Sequence, residues 1–261
     1  MFIDSHCHLD KLDVASEEGG IQAALQRAKD QRVSHVLCIG IDMENIQNVL
    51  DIAESHPNVF ATVGAHPLYQ ENKSPSLDEL LLLAEHSKVI GIGESGLDYF
   101  YCEGDLQWQR DRFVTHIQAA VKTELPLIVH TRAAKSDTLD LLAEHGQGKV
   151  KGVLHCFTED LDMAQQAIEL GFYISISGIV TFNSADELRN VVDKIPLEKL
   201  LIETDAPWLT PVPNRGKPNE PKYVVDVAKK IADIKGVSIE TVAEVTTDNF
   251  FTLFSKAKNS K

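Results

Sequence analysis

At 261 residues, with a formal net charge of −14 and a sequence pI near 5.1, the chain repels polyanions at long range, which excludes a basic nucleic-acid-coating protein and leaves room only for local cationic patches. It holds no run of about 18 apolar residues, and its first apolar segment is too short and polar for a signal-peptide core, so a cytoplasmic protein with no membrane span is expected. The four cysteines, Cys7, Cys38, Cys102 and Cys156, show no C-x-x-C spacing and are expected to be free thiols.

Short apolar, β-branched runs alternate with amphipathic stretches along the whole chain. Strand 1–9 (MFIDSHCHL) precedes a helical period over 17–31, and strand 34–41 precedes one over 44–56. Strand 58–66 leads to a helix over 76–87, and strand 88–96 to a helix over 105–124. Strands 125–131 and 150–157 follow, then a helix over 162–171 and strands 172–178 and 199–205. This pattern of βα units predicts a parallel sheet. A doubly wound sheet would put a Gly-rich phosphate turn after its first strand, but SHCHLD stands there, so a closed (β/α)₈ barrel is predicted. No linker or low-complexity run divides the chain, and one domain spanning 1–261 is expected. The Pro-rich segment 206–221 reads as an ordered loop after the eighth strand.

Barrel enzymes carry their chemistry at the C-terminal ends of the strands. Here the first strand ends in His6 and His8, the third in His66 and the fourth in Glu94. The fifth ends in His130, the sixth in His155 and the eighth in Asp205, whereas His56, His86, His116 and His145 are expected on helix surfaces. Imidazoles and carboxylates aimed at one barrel mouth form a ligand set suited to Zn²⁺, Mn²⁺ or related ions. The set is too large for one tetrahedral ion that keeps an open position, so two ions are expected, with Glu94 placed to bridge. Strand alternation puts Asp4 on the face of His6 and His8, and Glu203 on that of Asp205. Both carboxylates are therefore expected one layer below the ions, accepting hydrogen bonds from ligating imidazoles or their neighbours.

The segments DSHCHLD, VGAHP, IGESGLDYFY, LPLIVHTR, GVLHCFTED, GFYISISGIVTF and LLIETDAPWLTPVPNRGKPNEP resemble, in order and over nearly the whole chain, the motif series of the TatD family of metal-dependent deoxyribonucleases, most closely its YcfH-type branch. The resemblance implies a (β/α)₈ fold and a binuclear site, one ion held by His6, His8, Glu94 and Asp205 and the other by Glu94, His130 and His155. It further implies removal of nucleotides from DNA, typically 3′ to 5′, with Mg²⁺ or Mn²⁺.

For a phosphodiester, in-line attack by a metal-activated hydroxide is expected, with Asp205 positioning it and accepting its proton. Arg132, Arg215 and Lys217 are candidate phosphate contacts, with His66 as a donor to phosphate or water and Asn219 as a further polar contact. Trp208, Tyr99, Phe100 and Tyr101 are candidate base-stacking residues. The acidic surface suits single-stranded DNA ends or short oligonucleotides, taken by a monomer without an obligate partner. The rival readings are a hydrolase of small amides, esters or aminoacyl-tRNA using the same ions, and a non-catalytic metal-binding scaffold.

Overall fold

In the computed structural model, which describes residues 1–13 and 19–259, eight strands lie parallel in the order of the chain. They are β1 (Phe2–Cys7), β2 (Val33–Cys38), β3 (Val59–Val63), β4 (Val89–Asp98), β5 (Leu127–Arg132), β6 (Gly152–Leu154), β7 (Phe172–Ile176) and β8 (Leu200–Ile202). The helices between and after them are α1 (Gly20–Asp30), α2 (Ile46–Ser55), α3 (Leu77–Ala84), α4 (Gln107–Thr123), α5 (Lys135–Gly146), α6 (Leu161–Glu169), α7 (Asp186–Lys194), α8 (Val224–Lys235) and α9 (Ile239–Leu253). Residues 17 and 18 of the first expected helix lie outside the described residues. Among those described, no strand ladder joins β8 to β1. The ring closes instead through single bonds, from Asp205 N to His6 O (3.0 Å) and from His8 N to Ala206 O (2.8 Å).

Two apolar layers explain why the strands read as continuous hydrophobic runs rather than as alternating ones. One side chain from every strand, Ile3, Leu37, Phe60, Ile90, Ile128, Val153, Tyr173 and Leu201, forms an inner cluster that Phe250, Leu253 and Phe254 at the end of α9 join. Each contributes roughly 1.5 to 3 kcal/mol by burial, and together they plug the N-terminal end of the barrel. The larger cluster, with Val36, Val59, Phe113 and Phe172 among its members, packs strands against the outer helices. Polar groups are left one open end, at the C-terminal mouth.

Close backbone approach sets the course of β4. A Cβ at Gly93 would lie 2.6 Å from Ile128 O, and one at Gly96 would lie 1.9 Å from His130 O. Both glycines have positive φ (125° and 145°), a region closed to side chains. The stretch GIGESG thus lets β4 press against β5 and carry Glu94 to the centre of the mouth.

Strict alternation fails in β1, whose register against β2 shifts between Asp4 and Cys7. Ile3 belongs to the inner cluster, and Ser5 Oγ meets Ser175 Oγ (3.2 Å) across the barrel. Asp4 instead accepts Thr204 N (2.9 Å) and Thr204 Oγ1 (2.6 Å), with the His6 amide at 3.4 Å. Asp4 thus meets neighbours of the candidate ligands, the backbone amide of His6 and Thr204 beside Asp205, rather than an imidazole. Asp4 braces the turn that leads to Asp205.

Candidate metal centre

The Glu94 carboxylate is 2 % exposed and divides the site in two. Oε2 faces His6 Nε2 (3.3 Å) and His8 Nε2 (3.9 Å). Asp205 Oδ1 completes that side, 3.6 Å from His6 Nε2 and 3.4 Å from His8 Nε2. Oε1 faces the other way, toward His155 Nε2 (2.7 Å), His66 Nε2 (3.2 Å) and His130 Nδ1 (3.4 Å). Two groups that could hold a metal ion result, His6 with His8 and Asp205, and His66 with Glu94 and His130.

The donor atoms fit such ions. His155 Nε2 is buried and lies close to Glu94 Oε1, yet no hydrogen bond satisfies it, and His6 and His8 bring their Nε2 atoms within 3.2 Å of each other beside Glu94 and Asp205. Buried imidazole nitrogens left this way cost free energy unless something engages them. A third grouping, His6, His155 and Glu203, lies beneath the first two. His155 Nδ1 sits 3.4 Å from Glu203 Oε1, which also accepts Cys156 N (2.7 Å). His6 and His155 stack with ring centroids 3.8 Å apart.

Burial alone would push the Glu94 carboxyl up, but His155, His66 and His130 outweigh it and hold it well below the ordinary carboxylate range. Burial likewise opposes charge on His155, and Glu94 and Glu203 overcome it and raise the imidazole well above its usual value. For Asp205, burial pushes upward while the bond to His8 and the nearby imidazoles bring the carboxyl below its ordinary value. Both carboxylates, Glu94 and Asp205, are thus anions at neutral pH, as metal ligation requires.

Sequence alternation missed Asp98, because the fourth strand was expected to end at residue 96 while β4 runs on to Asp98. Asp98 Oδ2 accepts a hydrogen bond from His130 Nε2 (3.0 Å), and Oδ1 accepts from Phe100 N (3.0 Å) and Tyr101 N (2.8 Å). Glu94, Gly96 and Asp98 repeat every second residue, which was the available signal. His116, expected on a helix surface, is instead fully buried on α4 and accepts Ala65 N (3.0 Å).

The mouth holds a cavity of about 550 Å³ lined by His8, His66, Glu94, His130, His155 and Asp205, with Tyr101, Arg132, Thr158, Trp208 and Leu209 around them. Arg132 packs its guanidinium 4.4 Å from the Phe100 ring and 4.9 Å from the Tyr101 ring. Asn219, Arg215, Lys217 and Tyr99 lie outside the cavity lining. Asn219 is 1 % exposed and donates to Thr204 O (2.9 Å) and Trp208 O while accepting Glu220 N (3.0 Å). Its amide is consumed in clasping the loop after β8, which corrects its assignment as a substrate contact. Arg215 stacks over Phe182 (3.9 Å) outside the cavity lining, and Lys217 is exposed without reaching it. The Tyr99 hydroxyl is spent on Asp137 (2.6 Å).

Residues 3–255 match the family model described as TatD related DNase. The chain belongs to the TatD family. It is 44 % identical over 252 residues to the metal-dependent hydrolase YcfH of Escherichia coli K12, covering 97 % of this chain and 95 % of that protein. It is 36 % identical to the metal-dependent hydrolase YabD of Bacillus subtilis over 97 % of this chain and 99 % of that one. Among solved structures, the TatD homologue YjjV of E. coli K12 superposes with a TM-score of 0.88 at 31 % identity, over 97 % of this chain and 98 % of that chain. An organophosphorus hydrolase from Deinococcus radiodurans shares the fold, with a TM-score of 0.67 at 13 % identity over 97 % of this chain and 92 % of that one. This TatD-family chain is a metal-dependent hydrolase, and its histidines and carboxylates form candidate metal clusters at the barrel mouth.

Proposed function

We propose that this chain is a deoxyribonuclease that removes nucleotides from the 3′ ends of single-stranded DNA with two divalent ions, Mg²⁺, Mn²⁺ or Zn²⁺. The observation that carries the reading is the division of Glu94, with Oε2 turned to His6 and His8 and Oε1 to His130, His155 and His66. One ion would be held by His6, His8, Glu94 and Asp205, the other by Glu94, His130 and His155. Bound there, the ions would supply a nucleophile at neutral pH and charge stabilisation at the phosphoryl oxygens.

The remaining work falls to the chain. Asp205 Oδ1, beside His8 Nε2 (3.4 Å), orients the attacking water and takes its proton. His66 Nε2 lines the cavity and donates to an anionic oxygen of the substrate. Glu203 Oε1, 3.4 Å from His155 Nδ1, is placed to orient that ring once an ion engages Nε2. The guanidinium of Arg132 is held by aromatic faces and, among the described residues, has no carboxylate partner within 4.0 Å, so its planar fork is free for a phosphate. Tyr101 and Trp208, 62 % and 49 % exposed, offer stacking faces to bases. The description DNase carried by the family model supports the same substrate class.

The test uses a 5′-labelled single-stranded DNA oligonucleotide with chelator-stripped protein, each metal added back in turn, and Asp205→Asn as control. A metal-dependent ladder shortened from the 3′ end and absent in the control is expected. No product with any metal would refute the nuclease reading and turn attention to carboxylic and aminoacyl esters.

A further inference from the structure

Helix α4 carries three polar side chains that are almost wholly buried, Gln109, Arg112 and His116. Their spacing puts them on one helix face. Arg112 is unusual in its surroundings. A buried guanidinium ordinarily sits against a carboxylate, but this one donates to backbone carbonyls, Nη1 to His66 O (2.9 Å) and Tyr69 O (2.8 Å), Nη2 to Gln70 O (2.6 Å) and Glu71 O (3.4 Å). Nε donates to Ser74 Oγ (2.9 Å), and the Trp108 ring covers the group at 4.9 Å. Burial lowers its pKa to about 10, which leaves it charged at neutral pH.

The neighbours on the same face grip the same segment. His116 Nε2 accepts Ala65 N (3.0 Å) while its Nδ1 donates to Arg112 O (2.8 Å). Gln109 Nε2 donates to Pro67 O (3.2 Å), and its Oε1 accepts the amide of Asp98 (3.0 Å). Within the segment from 65 to 74, His66 O, Gln70 O and Glu71 O also accept from Tyr69 N, Lys73 N and Ser74 Oγ, so Arg112 takes up second lone pairs there and ties these local turns, together with Tyr69 O, to α4. Recognition through carbonyls fixes the path of a backbone irrespective of the side chains along it. The side chain this path delivers to the mouth is His66, with Nε2 3.2 Å from Glu94 Oε1.

We propose that Gln109, Arg112 and His116 are positioning residues that hold His66 in place for the reaction, Arg112 being the principal one. The proposal rests on the substrate-donor role given to His66 above. None of the three side chains lines the cavity, so their effect on turnover runs through the segment they clasp.

A double-mutant cycle tests this with Arg112→Met, His66→Ala and their combination, measuring kcat/KM on the DNA oligonucleotide. Arg112→Met is expected to lower kcat/KM tenfold or more in the natural background, and less than twofold once His66 is Ala. Arg112→Lys, with a single point charge, is expected to restore part of the loss. Amide hydrogen exchange in the metal-free protein is the second readout, with exchange at 65–74 expected to rise tenfold or more in Arg112→Met and the barrel strands unchanged. Equal losses in both backgrounds, or exchange that rises uniformly, would overturn the proposal and leave Arg112 a stability residue. Should Arg112→Met fail to fold, Gln109→Leu carries the same cycle and exchange measurement with smaller effects of the same sign. If the unmutated protein cleaves no phosphodiester, the nuclease reading falls separately, and local against uniform exchange decides the clasp.

Discussion

Asp98→Asn separates the two duties of one carboxylate. In the native arrangement His130 turns Nδ1 to Glu94 Oε1 (3.4 Å) and Nε2 to Asp98 Oδ2 (3.0 Å), so the ring proton belongs on Nε2. Asparagine keeps an oxygen where Oδ1 accepts Phe100 N and Tyr101 N, which preserves the turn and leaves the fold near its native stability. On the other side its NH₂ group meets the Nε2 proton of His130, and donor faces donor. Loss of such an outer carboxylate typically weakens metal binding about tenfold to a hundredfold, or about 1.4 to 2.8 kcal/mol. Calorimetric titration of Mn²⁺ or Zn²⁺ into chelator-stripped protein reads that change directly, and thermal melting checks the fold. Unchanged metal affinity with an unchanged melting temperature would refute the claim that Asp98 orients His130. Asp98→Ala should add a loss of stability, since the two amides then lose their acceptor.

The remaining predictions concern separate residues. Burial holds the His116 imidazole at about 4, below its unfolded value near 6.5, so the unfolded state binds more protons between those pH values. The contribution of His116 to stability is complete above about pH 6.5 and is lost as pH falls toward 4, by at most about 3 kcal/mol. His116→Gln should flatten the urea-unfolding profile over that window, and an identical profile would refute the assignment. Glu203→Gln retains an acceptor for Cys156 N but removes the anion beside His155, so metal affinity should fall roughly tenfold, as read by the same titration. Arg132→Ala should raise KM for the oligonucleotide and reduce the slope of log K against log salt by about 0.7, the share of one phosphate on a single strand; an unaltered slope would remove Arg132 from the phosphate path.

The barrel and the placement of the ligand set were legible because both depend on short-range pattern. Apolar runs alternate with helical periods, and polar residues punctuate the strand ends. Features that depend on register or on tertiary partners were not. Asp4 lies at the right spacing from His6, and only its contacts show which neighbour of the candidate ligands it grips, Thr204 beside Asp205. Asp98 escaped because the end of β4 was placed two residues short, a boundary set by pairing with Arg132 on β5. Asn219 and Arg215 look like loop contacts in any sequence reading, and only their partners, Thr204 O and the Phe182 ring, reveal where they are spent. His116 resembled a surface histidine because the helical pattern of α4 does not reveal that a polar face can be covered by a loop.

The seam between β1 and β8 has a consequence for how the chain is made. His6 and His8 lie on β1, yet Asp205 N, which bonds His6 O, and the Thr204 clasp on Asp4 come some 200 positions later. Contacts so far apart in sequence form late. One edge of β1 pairs with the nearby β2, but its other edge waits for distant residues, and the pocket that would hold an ion beside His6 and His8 is complete only after the eighth strand has docked. Ion loading would then follow barrel closure, since Asp205, the carboxylate that would complete that side of the site, arrives with the last strand.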